Sequence, residues 1–454
     1  MDKTQRLLDP IHGLITFRHD DPVDCIAWQL LNASEFQRLR RIRQLGFSEF
    51  VFPSATHTRY MHSIGVYHMS RRILEVVRRR QGNDYNKDRA RVARLAALLH
   101  DVGHGPFSHT FEYVEKQRGY KKDHEFRSAE IITGDTEICK ILKAADKNLP
   151  QDIERMLKAE LPDDIYHSIV SSQFDADRID YLLRDRYMAG IESGGFDLEW
   201  ILDCLEIGEI YEEQEDGDNL PLQTLCLNHK GIGAAENYIL TRFQYYDQLY
   251  FHKTTRGAEK LLAALLVRVS KLIQAGRIDQ TGLDPQHALC RYFAHDDPGI
   301  DLYLDLDDNL IWSSLGQFSR APDALISSLS LRLMNRNLFK CADLSHLVNT
   351  GGDALGRFKS ALKKFCGDNN LEMGVDLMLD EIPFNGYGKQ NVEEGGALKQ
   401  VWVRPNSHDI ALRKIDEVSD FVKAVLDKKR LYRVYVPESG MREGLIKHME
   451  GALK

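Results

Sequence analysis

The stretch Leu98-Leu99-His100-Asp101-Val102-Gly103-His104-Gly105-Pro106-Phe107-Ser108-His109 packs three histidines and an aspartate behind an apolar run. Upstream of it, Val92, Leu95, Ala96 and Leu99 recur at helical spacing, so residues 88–101 are expected to form a helix. The segment 103–106 stops that helix, because glycine frees the backbone and proline cannot continue the hydrogen-bond ladder. A lone histidine behind Leu-Ala-Ala-Leu-Leu is commonly a satisfied buried residue. Several polar groups crowded at one helix end are different, because each costs free energy unless it is paired. That pattern argues for a ligand or catalytic set.

Working outward, residues 60–80 carry an apolar stripe of Val66, Met69, Ile73 and Val77 and place His62 on a second helix. Residues 174–188 and 234–275 read as further amphipathic helices, the first carrying Asp177. Neutral imidazole with carboxylate suits Mn²⁺, Fe²⁺, Zn²⁺ or Ni²⁺ and leaves coordination positions for water and substrate. No cysteine falls between positions 26 and 138, so a metal site in this region uses nitrogen and oxygen ligands.

Composition narrows the class. The chain has 454 residues, 43% of them apolar, enough for a large core and more than one domain. No run reaches the roughly 18 apolar residues of a membrane helix, and the first residues hold no apolar signal core. The seven cysteines are scattered without a Cys-x-x-Cys pair. The expectation is a cytoplasmic protein with no membrane segment. The net charge of −8 hides an asymmetry, since residues 1–100 hold 17 Lys+Arg against 10 Asp+Glu, a net +7. Overall acidity argues against a specific nucleic-acid partner, yet leaves room for a local anion pocket.

The predicted fold is mainly α. Residues 1–275 form a helical catalytic core, interrupted by a β-hairpin near 205–228 whose strands, 207–211 and 222–226, flank an acidic tip. Residues 276–454 read as a smaller α+β lobe, with helices at 321–339 and 353–366 and strands at 375–382, 399–404 and 430–436.

Three segments, HTRYMHSIGV at 57–66, LLHDVGHGPFSH at 98–109 and DADRIDYLLRD at 175–185, together resemble the signatures of HD-domain phosphohydrolases. More narrowly, the chain resembles the deoxynucleoside triphosphate (dNTP) triphosphohydrolases. DPIHG at 9–13, FQRLRRIRQLGF at 36–47, HEFRSAEII at 124–132 and RFQYYDQLYFHK at 242–253 also match, in family order. The resemblance covers about the first 275 residues. It implies one divalent metal ion held by His62, His100, Asp101 and Asp177, without distinguishing Mn, Mg, Fe, Zn or Ni, and Mg carried in with the nucleotide.

The resemblance also places His104, His109, Glu112 and His124 among catalytic and phosphate-contacting groups. A histidine oriented by a carboxylate is an acid/base pair near neutral pH, a role given to His124 with Glu112. Among the substrate contacts, Gln44 is implied at the sugar 3′-hydroxyl, Arg59, Arg178 and Arg242 at phosphates, Tyr181 and Asp185 at the deoxyribose, and Tyr250 near the base. A tyrosine against the sugar would exclude a 2′-hydroxyl. Phe251 stands where eukaryotic members place a polar residue beside the base, so base selectivity does not carry over. Asp180 and Arg184, at i and i+4, read as a surface pair. His57 and His68 receive no role.

Several relatives bind an activating nucleotide between subunits, through residues corresponding to Gln37, Arg40 and Lys230. The expectation is a nucleotide-responsive homo-oligomer, dimer or tetramer. Asn32 replaces the aspartate of guanine-reading relatives, which argues against guanine at that site. Two other readings compete. One is a different HD phosphohydrolase, a nucleotidase or phosphodiesterase, although the HHExxDGxGYP signature of cyclic-dinucleotide phosphodiesterases is absent. The other is an inert nucleotide-sensing scaffold, disfavoured because the full ligand set is present. The leading expectation is conversion of a dNTP to deoxynucleoside and triphosphate, for pool control or antiviral depletion.

Overall fold

The Arg59–Gln81 helix turns Val66, Met69, Ile73 and Val77 into the core, as their spacing requires, and stops at Gly82, whose φ is 57°. Arg78, Arg79 and Arg80 occupy its last turn, where cations offset the negative end of the helix dipole. The Lys87–Leu99 helix starts at Asn86, whose side chain accepts from the amides of Asp88 and Arg89, each at 3.0 Å. Such a cap contributes about 1 kcal/mol. The Ala176–Ala189 helix begins the same way on Asp175 and ends at the left-handed Gly190. The Arg59–Gln81 helix packs on both of the others, and together they set the positions of His62, His100 and Asp177.

The computed structural model describes residues 3–158, 164–213, 219–348, 353–384, 400–408, 411–425 and 429–453. The molecule is mainly helical, with a helical core and a smaller α+β part, as the sequence predicts. One large apolar core gathers the helices between 22 and 245 except His109–Gln117, together with Val401, Val403, Ile415 and Val422. A second core centres on the Lys253–Gln274 helix and draws residues from Phe47 to Tyr435. A third lies under the C-terminal three-stranded sheet.

An antiparallel N-terminal hairpin, Gln5–Asp9 with Gly13–Phe17, was not among the expected elements. The expected hairpin near 205–228 is present as Leu205–Glu213 paired antiparallel with Asn219–Leu227, and residues 214–218 of its acidic tip lie outside the described residues. It is joined by Trp402–Val403, parallel to the second strand, and then by Arg413–Lys414. The strand read over 399–404 is thus only two residues long. The C-terminal sheet runs Lys340–Asp343, Lys429–Val436, Met378–Phe384, all antiparallel. The helical run at 234–275 is not continuous. Ile232–Tyr245 passes through a π-turn at Tyr246–Tyr250 before Lys253–Gln274 begins, the kind of break that frequently marks functional positions.

Candidate active site

His62 and His100 converge with Asp177 and Asp101. Asp177 Oδ1 lies 2.9 Å from His62 Nε2 and 3.6 Å from His100 Nε2. Asp101 Oδ1 is 3.3 Å from His100 Nε2, and its Oδ2 is 3.8 Å from His62 Nε2. The other nitrogen of each ring is occupied: His62 Nδ1 bonds Asp180 at 2.8 Å and His100 Nδ1 bonds the Ala97 carbonyl at 2.9 Å. Both Nδ1 partners are acceptors, so each ring keeps its proton there when a cation binds and can then turn an Nε2 lone pair toward it. Both Nε2 atoms are buried and have no hydrogen-bond partner among the described residues. Lone pairs and carboxylates facing one another call for a cation, and the donor set fits a divalent metal. Burial pulls His62 down, but Asp177 and Asp180 outweigh it and raise its pKa to about 10, which measures the same negative field.

Asp180 is fully buried, which corrects its reading as a surface group. Besides His62, it accepts from His12 Nε2 at 2.6 Å and from Arg184 Nε and Nη2, both at 2.9 Å. Arg184 in turn donates to Asp9 at 2.8 Å, and Asp9 also accepts from the amides of Ile11 and His12. The DPIHG turn of the N-terminal hairpin is therefore docked behind the His62–His100–Asp177 cluster. Helix periodicity put the pair outside because Asp and Arg are usually solvated; here four donors on one carboxylate make burial tolerable. Gly65 makes room for it, since a Cβ there would lie 1.8 Å from Asp180 Oδ1.

A second group lies beside the first. Glu112 bonds His124 Nδ1 at 2.6 Å through one oxygen and His109 Nδ1 at 3.0 Å through the other. The His104 and His124 rings stack at 3.9 Å between centroids, and His104 Nε2 lies 3.2 Å from Asp101 Oδ1. Burial would raise the Glu112 carboxyl, but the two histidines hold it well below the usual range. Burial lowers His124, and Glu112 more than compensates, so it is raised. His104 is pushed well down by burial and by the nearby Arg59, which keeps it neutral. Arg59 bonds Asp101 and, through Nε and Nη2, the Ser108 hydroxyl at 3.1 and 2.9 Å.

A cavity of about 340 Å³ opens beside these groups, and Gln44, Arg59, Ser108, His109, Tyr181, Asp185 and Tyr250 all line it. Gln44 Oε1 is buried there without a hydrogen-bond partner among the described residues. Asp185 is held by His57 Nε2 at 2.7 Å and by the Tyr250 hydroxyl at 2.8 Å, which gives the unassigned His57 a place. His68 is packed against His12, ring centroids 5.0 Å apart. Arg178 and Arg242 do not line this cavity. Arg178 is bonded to Asp175 and to the Ser172 carbonyl, and Arg242 to Gln173, so both guanidiniums turn toward residues 172–175.

The basic stretch 38–43 is mostly absorbed into structure. Arg38 is buried, donating to the carbonyls of Leu306 and His104; Arg41 pairs with Asp307 and Arg43 with Glu49. Arg40 bonds Gln37 at 2.8 Å and lies over the Tyr60 ring at 3.6 Å. Lys230 sits apart in the His229–Gly231 turn, where its carbonyl accepts from Trp200. No sequence pattern assigns a role to His12, His57 or Asp308, and Asp180 with Arg184 reads there as a surface pair. The usable signal was Asp180, three residues after Asp177 and so on nearly the same helix face.

The HD-domain model matches residues 59–182. The chain is 32% identical over 449 residues to YwfO of Bacillus subtilis, an uncharacterised protein, covering 98% of this chain and 95% of that one. It is 26% identical over 351 residues to the deoxynucleoside triphosphate triphosphohydrolase SAMHD1 homolog of Dictyostelium discoideum, spanning 74% of this chain and 59% of that protein. Among solved structures, a phosphohydrolase from Bacteroides thetaiotaomicron superposes with a TM-score of 0.75 at 25% identity, over 96% of this chain and all of the other. A hypothetical protein from Aquifex aeolicus gives 0.69 at 27% identity, over 99% of this chain and all of its own.

Proposed function

Because the chain belongs to the HD-domain family that includes Bacillus subtilis YwfO, a metal-dependent phosphohydrolase is the starting point, and we propose that its substrates are deoxynucleoside triphosphates. The reading rests on one arrangement: a single cavity is lined by Arg59 and His109 as well as by Tyr181, Asp185 and Tyr250, and Arg59 is bonded to Asp101 of the adjoining His/Asp cluster. Phosphate chemistry belongs to the first group and sugar chemistry to the second. The similarity to SAMHD1-named triphosphohydrolases supports the same substrate class.

His62, His100, Asp101 and Asp177 would hold the ion. When bound, a divalent cation supplies charge to the phosphate oxygens and lowers the pKa of water. The remaining steps belong to the side chains. Arg59, fixed between Asp101 and Ser108, offers its guanidinium to the phosphates. Hydrolysis breaks the bond between the α-phosphorus and the 5′ oxygen; water delivers hydroxide to phosphorus and the 5′ oxygen takes up a proton. The sequence assigns proton transfer to His124 with Glu112, but His124 is not among the residues lining the cavity. His109 lines it with its Nδ1 held by the same Glu112, so the reading gives delivery of that proton to His109. His124, on the second oxygen of Glu112, holds the carboxylate in register. Tyr181 beside Asp185 would exclude a 2′-hydroxyl, and the unpartnered Gln44 Oε1 would accept from the 3′-hydroxyl. Arg178 and Arg242 reach phosphate only by exchanging Asp175 and Gln173 for it.

The same reading includes a homo-oligomer that answers to an activating nucleotide bound between subunits through Gln37, Arg40 and Lys230. Incubation with each dNTP and NTP plus Mn²⁺ or Mg²⁺, with products separated by chromatography, tests the activity. Deoxynucleoside plus triphosphate is expected; monophosphate plus pyrophosphate overturns it. Asp101→Ala is expected to lose metal and turnover together.

A further inference from the structure

Asp308 opens the Asp308–Phe318 helix, well outside the stretch matched by the HD model, and is buried to 1% exposure. Both of its oxygens are committed to backbone amides. Oδ1 accepts from Phe107 at 2.7 Å and Oδ2 from Arg43 at 2.8 Å. Those amides belong to the two stretches that wall the cavity. Residues 42–44 run beside 57–59, with the Arg59 amide on the Ile42 carbonyl at 2.9 Å and the Gln44 amide on the His57 carbonyl at 3.0 Å. Phe107 begins the turn that presents Ser108 and His109.

That turn is strained. Phe107 and Ser108 have φ of 52° and 48°, two consecutive non-glycine residues at positive φ. Such a conformation persists only where the surroundings over-determine it. Here the determinants come from residues 303–308. The Tyr303 hydroxyl donates to the Gly103 carbonyl at 2.8 Å, and Arg38, which donates to the Leu306 carbonyl at 2.9 Å, also donates to the His104 carbonyl at 2.8 Å. Asp308 then takes the Phe107 amide. Phe107 itself is stacked on Phe47 at 4.5 Å, so its ring leaves the backbone little freedom to rotate.

We propose that Asp308 is a positioning residue, its carboxylate holding the strained Phe107–Ser108 turn against the Arg43 wall so that Arg59, Ser108 and His109 are aligned on one substrate. The alignment part rests on the hydrolase reading above; the clamp does not. Two facing N–H donors need two acceptors, which a carboxylate has and an amide lacks. Asp308→Asn keeps the volume but turns an NH₂ toward one of the amides. A role confined to stabilising the start of the 308–318 helix would lower stability and leave turnover alone.

The test uses the full chain loaded with Mn²⁺, as wild type, Asp308→Asn and Asp308→Ala. It measures kcat and KM with the best dNTP, metal content, and hydrogen exchange of peptides covering 40–46 and 103–110. Misalignment of reacting groups by about 1 Å costs on the order of 100-fold in rate. The expected result is that kcat and kcat/KM fall together by roughly 10- to 100-fold at unchanged metal content, with faster exchange in both peptides. Faster exchange with kcat within twofold of wild type reduces Asp308 to a structural residue and overturns the proposal, as does unchanged exchange. Should the alanine variant not fold, the isosteric asparagine variant decides. A wild type that hydrolyses no dNTP sinks the substrate reading instead, and exchange alone then judges the clamp.

Discussion

Asp180 accepts a hydrogen bond from Nδ1 of His62 at 2.8 Å while the opposite nitrogen of that ring faces Asp177 at 2.9 Å. The two carboxylates lie three residues apart on one helix, so a single turn of backbone fixes both sides of the imidazole. His12 and Arg184 then hold Asp180 itself, which carries the N-terminal hairpin into the geometry of the metal cluster.

Removing Asp180 should therefore weaken the metal site without touching a ligand. Outer partners of ligating histidines typically contribute 10- to 100-fold in metal affinity. Asp180→Ala should show that loss in calorimetric titration with Mn²⁺. It also leaves Arg184 buried against Asp9 alone, and breaking a buried pair costs about 3–5 kcal/mol, readable by urea unfolding. An unchanged Mn²⁺ affinity would contradict the coupling.

Two glycines should separate the two halves of the site. A Cβ on Gly65 would meet Asp180 Oδ1 at 1.8 Å, whereas one on Gly103 would meet the Ser128 amide nitrogen at 2.2 Å and the His124 carbonyl at 2.3 Å. Overpacking of this kind costs about 1–3 kcal/mol or more. Gly65→Ala should depress metal affinity first, because the side chain it displaces holds His62. Gly103→Ala pushes on backbone at the start of the His124–Thr133 helix, so kcat should fall more than metal affinity does. The same order of effects in both variants would argue against this division.

What the sequence disclosed and what it concealed follow from the range of the interactions. The ligand-bearing helices were legible because apolar spacing and the Gly-Pro stop are local, and His62, His100, Asp101 and Asp177 do meet. Gln44, Arg59, His109, Tyr181, Asp185 and Tyr250 likewise line one cavity. Arg178 and Arg242 fell away from it because their charges are taken up by Asp175 and Gln173, neighbours that spacing alone does not reveal. Asp180 and Arg184 were misread for the opposite reason: a polar pair at i and i+4 is normally solvated, and only the distant Asp9 and His12 make its burial affordable. Asp308 was invisible, since its partners are backbone amides more than 200 residues away.

Discrimination against ribonucleotides should depend on Tyr181. Its ring lies 6.1 Å from that of Tyr250, edge to face, and Asp185, held by Tyr250 and His57, occupies the adjacent wall. On the proposed reading a 2′-hydroxyl would meet this ring, and steric rejection of an added hydroxyl reaches roughly 100-fold at most. Tyr181→Ala should thus raise the ratio of kcat/KM for an NTP to that for its dNTP by about 10-fold or more, while both absolute rates fall. Parallel competition assays with one base read the ratio directly. An unchanged ratio would move the discrimination elsewhere in the cavity.

The pH dependence of stability should carry the mark of Asp308. Burial raises its carboxyl pKa from the ordinary 3.8 to about 6, against the lowering effect of the Phe107 and Arg43 amides. A folded-state pKa above the unfolded one means that the native state binds the proton more tightly. The stabilisation is complete below about pH 4 and is lost as pH rises through 6. Two units correspond to about 2–3 kcal/mol. Asp308→Asn cannot titrate, so the stability of wild type relative to this variant should decline by about that amount between pH 4 and 7 and be flat above. Denaturant unfolding of the two proteins, measured side by side across that range, gives the difference. A wild type that gains on the variant as pH rises would reverse the sign and show that the two backbone amides more than compensate for burying the charge.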